Sequence, residues 1–266
     1  RSILLIALLT LLALITLVPF IWMLSASFKT NNEVFSIPIQ WIPKTWHPEN
    51  YSVIWDRIPL MTFFKNTAFL SVLITLIQLL TSSFAAYGFS KMHFKGRDVL
   101  FLAYIGTIAI PWQSYMIPQF IMMRQLHWTD TLWSLVLLQA FSAFGVFLLK
   151  QYYSSIPDSL CESARMDGLS EWGIYRRIIL PLTKPALASL TIITFVNTWN
   201  DYMGPFIYLT STENKTIQLG LKMFVGLFDA EYALIMAASV VSILPVAIVF
   251  LSMQKYFVEG IATSGM

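Results

Sequence analysis

Charged side chains are scarce in this chain, and many of them fall in one short segment. The stretch CESARMDGLSEWGIYRRIILPLTKP (161–185) lies between two apolar runs. Carboxylates and guanidinium groups in such a cluster can cap helix ends, pair with one another or bind a charged surface of a partner. Which of these they do depends on the elements around them. The charged residues of the segment are Glu162, Arg165, Asp167, Glu171, Arg176, Arg177 and Lys184.

No catalytic or metal-binding set accompanies this cluster. The histidines His47, His93 and His127 are far apart in sequence, and Cys161 is the only cysteine. These spacings exclude an HExxH zinc site, a cysteine-cluster metal site and an intramolecular disulfide. A Walker A motif is also absent, so the chain has no P-loop to hold nucleotide phosphates. We therefore predict no catalytic residue, no metal and no cofactor on this chain.

The composition is that of an integral membrane protein. The chain is 57% hydrophobic and 12% charged, whereas soluble domains carry about 25% charged residues. Hydropathy predicts an all-α protein with six spans, roughly 2–28, 64–90, 99–121, 131–150, 185–208 and 232–256. The first run is too long for a signal peptide and is predicted to be a membrane helix. A net charge of +3 gives little support to nucleic-acid binding.

The distribution of basic residues predicts the orientation. With the N-terminus in the cytoplasm, ten of the 17 Lys and Arg residues lie inside, and most of the others fall in the long first loop 29–63. The short loop KMHFKGRD (91–98) is the clearest local indication. Both termini and the polar segment 151–184 are therefore expected on the cytoplasmic side.

The polar segment is expected to form two short helices joined by a bend. Ser159 and Glu162 have the spacing of a capping box, which predicts a first helix over roughly 159–166. Gly168 suits the left-handed residue that ends a helix, and Ser170 can cap a second one. The pattern alone leaves two interpretations open, a solvated loop and a docking surface for a cytoplasmic partner.

The same residues resemble a known family motif. ESARMDG, followed after nine residues by IILP, is similar to the EAA loop of ABC importer permeases, E-A-A-x-x-x-G-x9-I-x-L-P. Glu162, Ala164, Gly168, Leu180 and Pro181 fall in register. The segments VPFIWMLSASFKTNNEVF, NTWNDYMGPFIYLTSTENKTIQLGL and LPVAIVFLSMQKYFVEGIATSGM resemble the maltose/oligosaccharide type of this family.

This resemblance implies a fold, a function and a set of partners. The fold would be a type I ABC importer permease with a cytoplasmic coupling helix, in a bacterial or archaeal cytoplasmic membrane. The permease would serve a binding-protein-dependent sugar importer, with a second homologous permease, two ATPase subunits or domains, and an extracytoplasmic binding protein. ATP and Mg²⁺ would bind the ATPase. The implied coupling residues are Glu162, Ser163, Ala164, Arg165, Asp167, Gly168, Leu180 and Pro181.

These expectations divide the chain into three parts. Residues 1–63 are the first membrane helix and its outer loop, which anchors that span at the interface or binds a partner. Residues 64–257 are the core permease domain of five helices, which contains the EAA loop (157–181). Residues 258–266 are a cytoplasmic tail.

Two further sets of residues are candidates for contact with substrate and binding protein. The segment 195–206 is the most polar part of any span, and Gly204-Pro205 predicts a break just after Asn197, Asn200 and Asp201. These residues either line a sugar path or cap the broken helix. By resemblance, the outward loop 209–231 reaches the binding protein. The pathway candidates are Asn197, Trp199, Asn200, Asp201 and Tyr202, and the contact candidates are Thr212, Glu213, Asn214 and Lys215.

The sequence also bears on competing functions. A secondary transporter usually has several ionisable groups within its spans, whereas Asp201 is the only one well inside a predicted span here. An intramembrane enzyme would need a catalytic set at membrane depth, and none is present in the sequence. In IPWQSYMIPQF (110–120), Pro111 and Pro118 are expected to kink the third span, with a pathway gate as the alternative.

Overall fold

The computed structural model describes residues 2–226 and 230–264, with the backbone alone for residue 2 and for residues 257–264. Within these residues the regular secondary structure is helical, apart from an isolated bridge between Val225 and Ala230. The helices are α1 (Ser2–Ala26), α2 (Asn31–Val34), α3 (Asn50–Arg57), α4 (Leu60–Lys91), α5 (Arg97–Gly106), α6 (Met116–Gln125), α7 (Leu132–Leu138), α8 (Ala143–Ser154), α9 (Asp158–Met166), α10 (Glu171–Ile174), α11 (Leu180–Leu182), α12 (Lys184–Trp199), α13 (Met203–Tyr208), α14 (Ile217–Lys222) and α15 (Tyr232–Ser264).

Three of the predicted spans are single long helices. Helices α1, α4 and α15 are each long and apolar enough to cross a bilayer, and none of the membrane window of α1 is buried within the chain. Two bent pairs, α7 with α8 and the segment Glu171–Leu182 with α12, raise the possible number to five among the described residues. The six-span count stays a prediction.

The third predicted span is broken. After α5 come 3-10 turns at Thr107–Ala109 and Trp112–Ser114, and then α6. Ile110 is extended, with ψ 111°, because the ring of Pro111 disfavours the helical conformation in the residue before it. The predicted interruption at Pro111 is thus confirmed. Pro118 lies in the first turn of α6, where proline is tolerated, so the predicted kink there is wrong.

The fourth and fifth predicted spans also bend. Helices α7 and α8 meet at 43° across Gln139–Ser142, and Ser142 caps α8 by accepting a hydrogen bond from Gly145 N at 3.0 Å. The bend between Glu171–Leu182 and α12 is 76°. A further interruption at Asn200–Tyr202 precedes α13. The break was expected after these residues, at Gly204-Pro205, but both residues lie inside the first turn of α13.

The chain forms two compact units. The first comprises residues 1–65 and 215–245, and the second comprises 66–214 and 246–266. Residues 265–266 of the predicted tail lie outside the described chain, and α15 continues as far as Ser264.

In the first unit, the outer loop packs on the start of α15. Arg57 binds both carboxylate oxygens of Glu231, at 2.7 and 3.2 Å. The ring of Phe35 meets that of Tyr232 edge-on at 4.7 Å. This loop contains Pro38, Pro43, Pro48 and Pro59, which disfavour a long helix, and the short α2 and α3 form between α1 and α4.

In the second unit, a buried core joins α4, α8 and α12 to the EAA loop, which includes α9. Its buried residues include Leu149, Tyr153, Ile174 and Leu190. The buried hydroxyl of Ser83 bonds to two tyrosine hydroxyls, those of Tyr153 and Tyr175, at 2.7 Å each. Polar groups in an apolar core need such partners, so this hydroxyl cluster holds α4, α8 and the EAA loop in one arrangement.

Candidate functional site

The first EAA helix, α9, begins one residue earlier than the spacing predicts. It follows Pro157 and starts at Asp158, without a side-chain cap. Ser159 therefore lies inside the helix, where its carbonyl accepts a hydrogen bond from Ser163 Oγ at 2.6 Å. The predicted capping box is wrong, because proline already sets the entry and Asp158 places a negative charge in the first turn.

The bend after α9 has the predicted geometry. Gly168 has φ +83°, the left-handed conformation that glycine adopts without strain. Leu169 N donates to Ala164 O at 3.0 Å, which satisfies one of the last carbonyls of the helix. Ser170 accepts a hydrogen bond from Gly173 N at 3.3 Å and caps α10 as expected. A π-helical turn at Tyr175–Ile179 then leads through α11 and Thr183 into α12.

One face of α9 is buried and the other is free. Cys161 and Ala164, three residues apart, are 1% and 6% exposed and belong to the core of the unit. We assign Ala164 to seating the helix, because its methyl group is covered by the chain itself. Exposed side chains on the other face include Glu162, Ser163 and Met166, and Met166 is 83% exposed.

The start of α9 is tied to the end of α4 by an ion pair. Lys91 Nζ donates to Asp158 Oδ1 and to Ile156 O, each at 2.6 Å. The Lys91 side chain is 2% exposed and that of Asp158 is 66% exposed. The hydrogen bond from Lys91 lowers the pKa of Asp158 below its ordinary value. The ammonium group is thus buried and needs both acceptors.

The end of α9 is tied to α4 through a second contact. Arg165 binds the Glu171 carboxylate from Nε at 2.6 Å and from Nη2 at 3.3 Å. The hydroxyl of Tyr87, on α4, donates to Glu171 Oε2 at 2.5 Å. Helix α9 is therefore connected to α4 at two points, one at each end of the short helix.

The remaining EAA residues lie around this framework. Asp167 and Gly168 are exposed at the bend, whereas Leu180 is partly buried and packs against the core. Pro181 is exposed in α11. Leu180 and Pro181 therefore belong to the return into the span, and the exposed bend lies next to the free face of α9.

The pathway candidates lie on either side of the interruption after α12. Asn197 and Asn200 are exposed, and Asn200 Nδ2 donates to Val196 O at 3.0 Å. Trp199 is 1% exposed and stacks on Phe195, with ring centroids 5.6 Å apart. Trp199 thus supports the end of α12 from within the packed unit.

Asp201 and Tyr202 complete the set. Asp201 Oδ1 accepts a hydrogen bond from Gly204 N at 3.1 Å and so caps α13. Tyr202 stacks on Phe206 at 5.5 Å. Of the five pathway candidates, Asp201 and Asn197 line cavities in this unit.

Two interrupted spans are joined at their breaks. Asp201 Oδ2 accepts a hydrogen bond at 2.9 Å from Gln139 Nε2, at the break between α7 and α8. Gln78 Nε2 and Thr81 Oγ1, both on α4, donate to the Gln139 and Ala140 carbonyls at 2.7 and 3.0 Å. Carbonyls freed by a break in hydrocarbon need partners, and α4 supplies them here.

The contact candidates occupy a loop ordered by one carboxylate. Thr212 and Glu213 are exposed, and Lys215 is the first residue of the next segment of the first unit. Asn214 Nδ2 donates to Asp130 O at 2.6 Å, and Asp130 Oδ1 accepts from Ser211 N at 2.9 Å. Burial opposes ionisation of Asp130, but hydrogen bonds from the side chain and backbone of this loop outweigh it and lower the pKa of Asp130 to about 2.

Comparison with known proteins agrees with this geometry. Residues 78–263 match the family described as binding-protein-dependent transport system inner membrane component. The chain belongs to this family. The permease is 33% identical over 258 residues to the arabinooligosaccharides transport system permease protein AraQ of Bacillus subtilis, which covers 96% of this chain and 92% of that one.

Two other proteins are similar over nearly the whole length. A polygalacturonan/rhamnogalacturonan transport system permease protein of Bacillus subtilis is 33% identical over 263 residues, 93% of this chain and 91% of its own. The crystal structure of a bacterial ABC transporter involved in the import of the acidic polysaccharide alginate superposes with a TM-score of 0.84, at 29% identity and 96% coverage of both chains. The type I importer permease fold expected from the EAA motif is thereby confirmed.

The roles of several residues of the permease could not be predicted from sequence motifs. Tyr87 and Lys91 appear in the sequence as the end of an apolar span, and Gln78 as an isolated amide within it. Asp130 appears as part of a short loop. Their roles depend on contacts with residues 61 to 84 positions away, so no local pattern could identify them. Met166 is the exception, since a large apolar residue between Arg165 and Asp167 can be seen in the sequence.

Proposed function

We propose that this permease forms half of the translocation pathway of an ATP-driven importer of oligosaccharides. The relatives named above are transporters of arabinooligosaccharides, polygalacturonan/rhamnogalacturonan and alginate, which supports a sugar as cargo. It would pair with a second homologous permease, rest on two ATPase subunits or domains, and receive sugar from an extracytoplasmic binding protein. Since the sequence has no P-loop, ATP and Mg²⁺ would bind to the ATPase.

The observation that carries this proposal is the exposed face of α9, a short helix that is held to α4 at both ends. Met166 and Glu162 project from it, while Lys91 and Tyr87 hold its two ends to α4. A loop that is only solvated would not require two connections to a membrane helix. An apolar residue that is 83% exposed on such a surface suits insertion into a groove.

The mechanism follows from this bracing. Closure of the ATPase subunits around ATP would move α9. Glu162, Ser163 and Arg165 would contact the ATPase, and Asp167-Gly168 would lie at the edge of this contact. Leu180 and Pro181 would join the moving helix to α12. The two ties would pass the displacement to α4, whose Gln78 supports the breaks along the pathway. The basic loop 91–98 supports a cytoplasmic location for this side and for both termini.

The remaining site residues divide by their surroundings. Asn197 and Asp201 line cavities and are assigned to the sugar path. Trp199, Asn200 and Tyr202 support the broken helix around it. The exposed Thr212 and Glu213, with Asn214 and Lys215 beside them, are assigned to contact with the binding protein.

The test is co-purification of the ATPase with substituted permease. Glu162→Lys combined with Met166→Asp should release the ATPase subunits and abolish ATP-dependent sugar uptake, because both changes fall on the free face. Asp98→Lys is the matched control, since Asp98 is exposed in the first turn of α5, outside the EAA loop. Retention of the ATPase and of uptake in the double variant would contradict the coupling role of α9.

A further inference from the structure

A cavity of about 320 Å³ lies where the two broken spans meet. Its lining combines aromatic rings with amides and one carboxylate, and its size is at the lower end of small-ligand pockets. Sugars suit such a mixture, because they present apolar ring faces as well as hydroxyl groups. Lining residues that matter here are Trp112, Tyr115, Gln119, Gln139, Asp201 and Tyr208.

The amide of Gln119 is oriented for a ligand. The Trp112 indole donates to Gln119 Oε1 at 2.9 Å, and the Tyr208 hydroxyl donates to the same oxygen at 3.3 Å. An indole N–H can only donate, so the atom it contacts is the amide oxygen. Within the described residues, Gln119 Nε2 donates to no protein acceptor. Its two N–H groups can therefore serve a hydroxyl of a bound molecule.

A second cavity of about 360 Å³ shares two lining residues, Gln78 and Gln139, with the first. The side-chain amide of Gln78 donates to the main-chain carbonyl of Gln139 at 2.7 Å. Thr194 Oγ1 donates to Gln78 Oε1 at 3.2 Å and holds that amide in place. Asn197 and Ser142 line the second cavity. Two chambers of similar size thus share this polar pair of residues.

The charge of the lining separates two classes of sugar. Asp201 accepts hydrogen bonds at both oxygens, as an ionised carboxylate does. No Lys, Arg or His is among the described residues that line either cavity. A uronate entering here would lose its hydration, meet a carboxylate and find no cation in this lining. The hydroxyls of a neutral sugar can instead donate to Asp201 and accept from Gln119.

We propose that the two chambers, which share the Gln78–Gln139 pair, are saccharide subsites for neutral glycosyl units, and that this subunit rejects uronates. The proposal rests on sugar import as the function and specifies the class of sugar. It distinguishes this chain from a transporter of an acidic polysaccharide. Gln119 and Asp201 determine the specificity, and Gln78 and Gln139 are positioning residues.

Cysteine labelling in the assembled importer can test this. In a Cys161→Ser background, Gln119→Cys would be modified with cationic or anionic methanethiosulfonate reagents, and labelling would be followed on this chain alone. Gln113→Cys is the matched control, since Gln113 lies in the same broken segment but lines neither chamber. Uptake of radiolabelled arabinotriose by the same vesicles reports whether import still occurs.

Two results are expected. Arabinotriose should slow labelling at position 119, and trigalacturonate should not, with neither sugar affecting position 113. The cationic reagent should also be favoured at 119 relative to 113, and Asp201→Asn should reduce that preference by roughly tenfold, as loss of a nearby charge would. Asparagine keeps an acceptor for Gly204 N, and retention of the ATPase on purification shows that this variant folds.

Other outcomes would overturn the proposal. Equal protection by both sugars would contradict the rejection of uronates, and protection by neither, with uptake intact, would remove the subsites while leaving the importer function standing. A charge preference unaffected by Asp201→Asn would remove the role of the carboxylate. Absence of any ATP-dependent sugar uptake by vesicles that carry the unsubstituted permease would instead contradict the proposed function itself.

Discussion

Lys91 and Asp158 form an ion pair whose members differ sharply in exposure, 2% against 66%. Their single substitutions should therefore have unequal effects, with the larger one at the exposed residue. Asp158→Ala leaves a buried ammonium group with the Ile156 carbonyl as its remaining acceptor. Lys91→Met leaves the carboxylate free to hydrate and strands only that carbonyl, on a residue that is 8% exposed.

The magnitudes follow from what each change leaves unpaired. An uncompensated buried charge costs about 3 kcal/mol or more, whereas a buried carbonyl without a donor costs about 1–2 kcal/mol. The double variant leaves only the carbonyl unpaired, so it should be more stable than Asp158→Ala alone. Each kcal/mol corresponds to about 2–4 °C in the melting temperature of a domain of this size. Asp158→Ala should thus lower that temperature about twice as much as Lys91→Met.

Cys161 provides the assay. It is the only cysteine of the chain, it is 1% exposed, and it lies in the first turns of α9. A thiol-reactive dye will therefore report opening of this region on heating of the purified complex, provided that the partner subunits carry no cysteine. Asp98→Ala controls for the loss of an acidic residue from a first helical turn, which is worth at most about 1 kcal/mol.

The refuting result is specific. If Asp158→Ala is no more destabilising than Lys91→Met, or if the double variant is less stable than Asp158→Ala alone, the buried ammonium does not depend on its counter-ion. The brace between α4 and α9 would then rest on apolar packing, and the ion pair could not transmit displacement of the coupling helix.

Three further predictions concern other parts of the second unit. Asp130 has a folded pKa of about 2 against an ordinary value of 3.8, so its stabilising contribution should be present above about pH 4 and be lost as the pH falls towards 2. Asp130→Asn should therefore lower the melting temperature at pH 6, and the difference from wild type should shrink over that interval; a constant difference would contradict the role of the charge. A Cβ on Gly145 would lie 2.5 Å from Ser82 Oγ, a buried hydroxyl without a hydrogen-bond partner among the described residues. Gly145→Ala should cost about 1–3 kcal/mol, Ser82→Ala should cost little, and the double variant should recover most of the loss in dye-detected unfolding. Gly168→Ala should cost about 1 kcal/mol through its φ of +83° alone, since nothing lies within 4 Å of the added methyl group; Gly168→Asn should cost less, and equal losses would contradict the strain.

Motif and pattern account for the local structure of the EAA loop. Glycine at a left-handed position and serine before a helix are local preferences, so Gly168 and Ser170 could be placed from sequence. Ser159 could not, because proline and Asp158 offered a competing start one residue earlier. Local signals compete within a few residues, and the energy differences between such starts are small.

In the candidate pathway, by contrast, only some of the residues could be identified from the sequence. Asn197 and Asp201 were identified from their cost in a span, which is a property of the residue type. Gln119 lies near the end of one predicted span and Gln139 in the middle of another, and neither was singled out from the sequence, although both line the same cavity as Asp201. Trp199 was a pathway candidate, yet it is buried, because it stacks on Phe195 within the packed end of α12.

By itself the sequence determined that this chain spans a membrane, has no Walker A motif and presents a polar loop of EAA type, because each follows from composition or from short-range residue order. Only the tertiary structure decided which face of α9 is free, that α4 holds the helix at both ends, and that two breaks meet across Gln139 and Asp201. Those facts depend on contacts between residues six to 84 positions apart, and the energy of such a contact exists only once packing has brought both groups out of water.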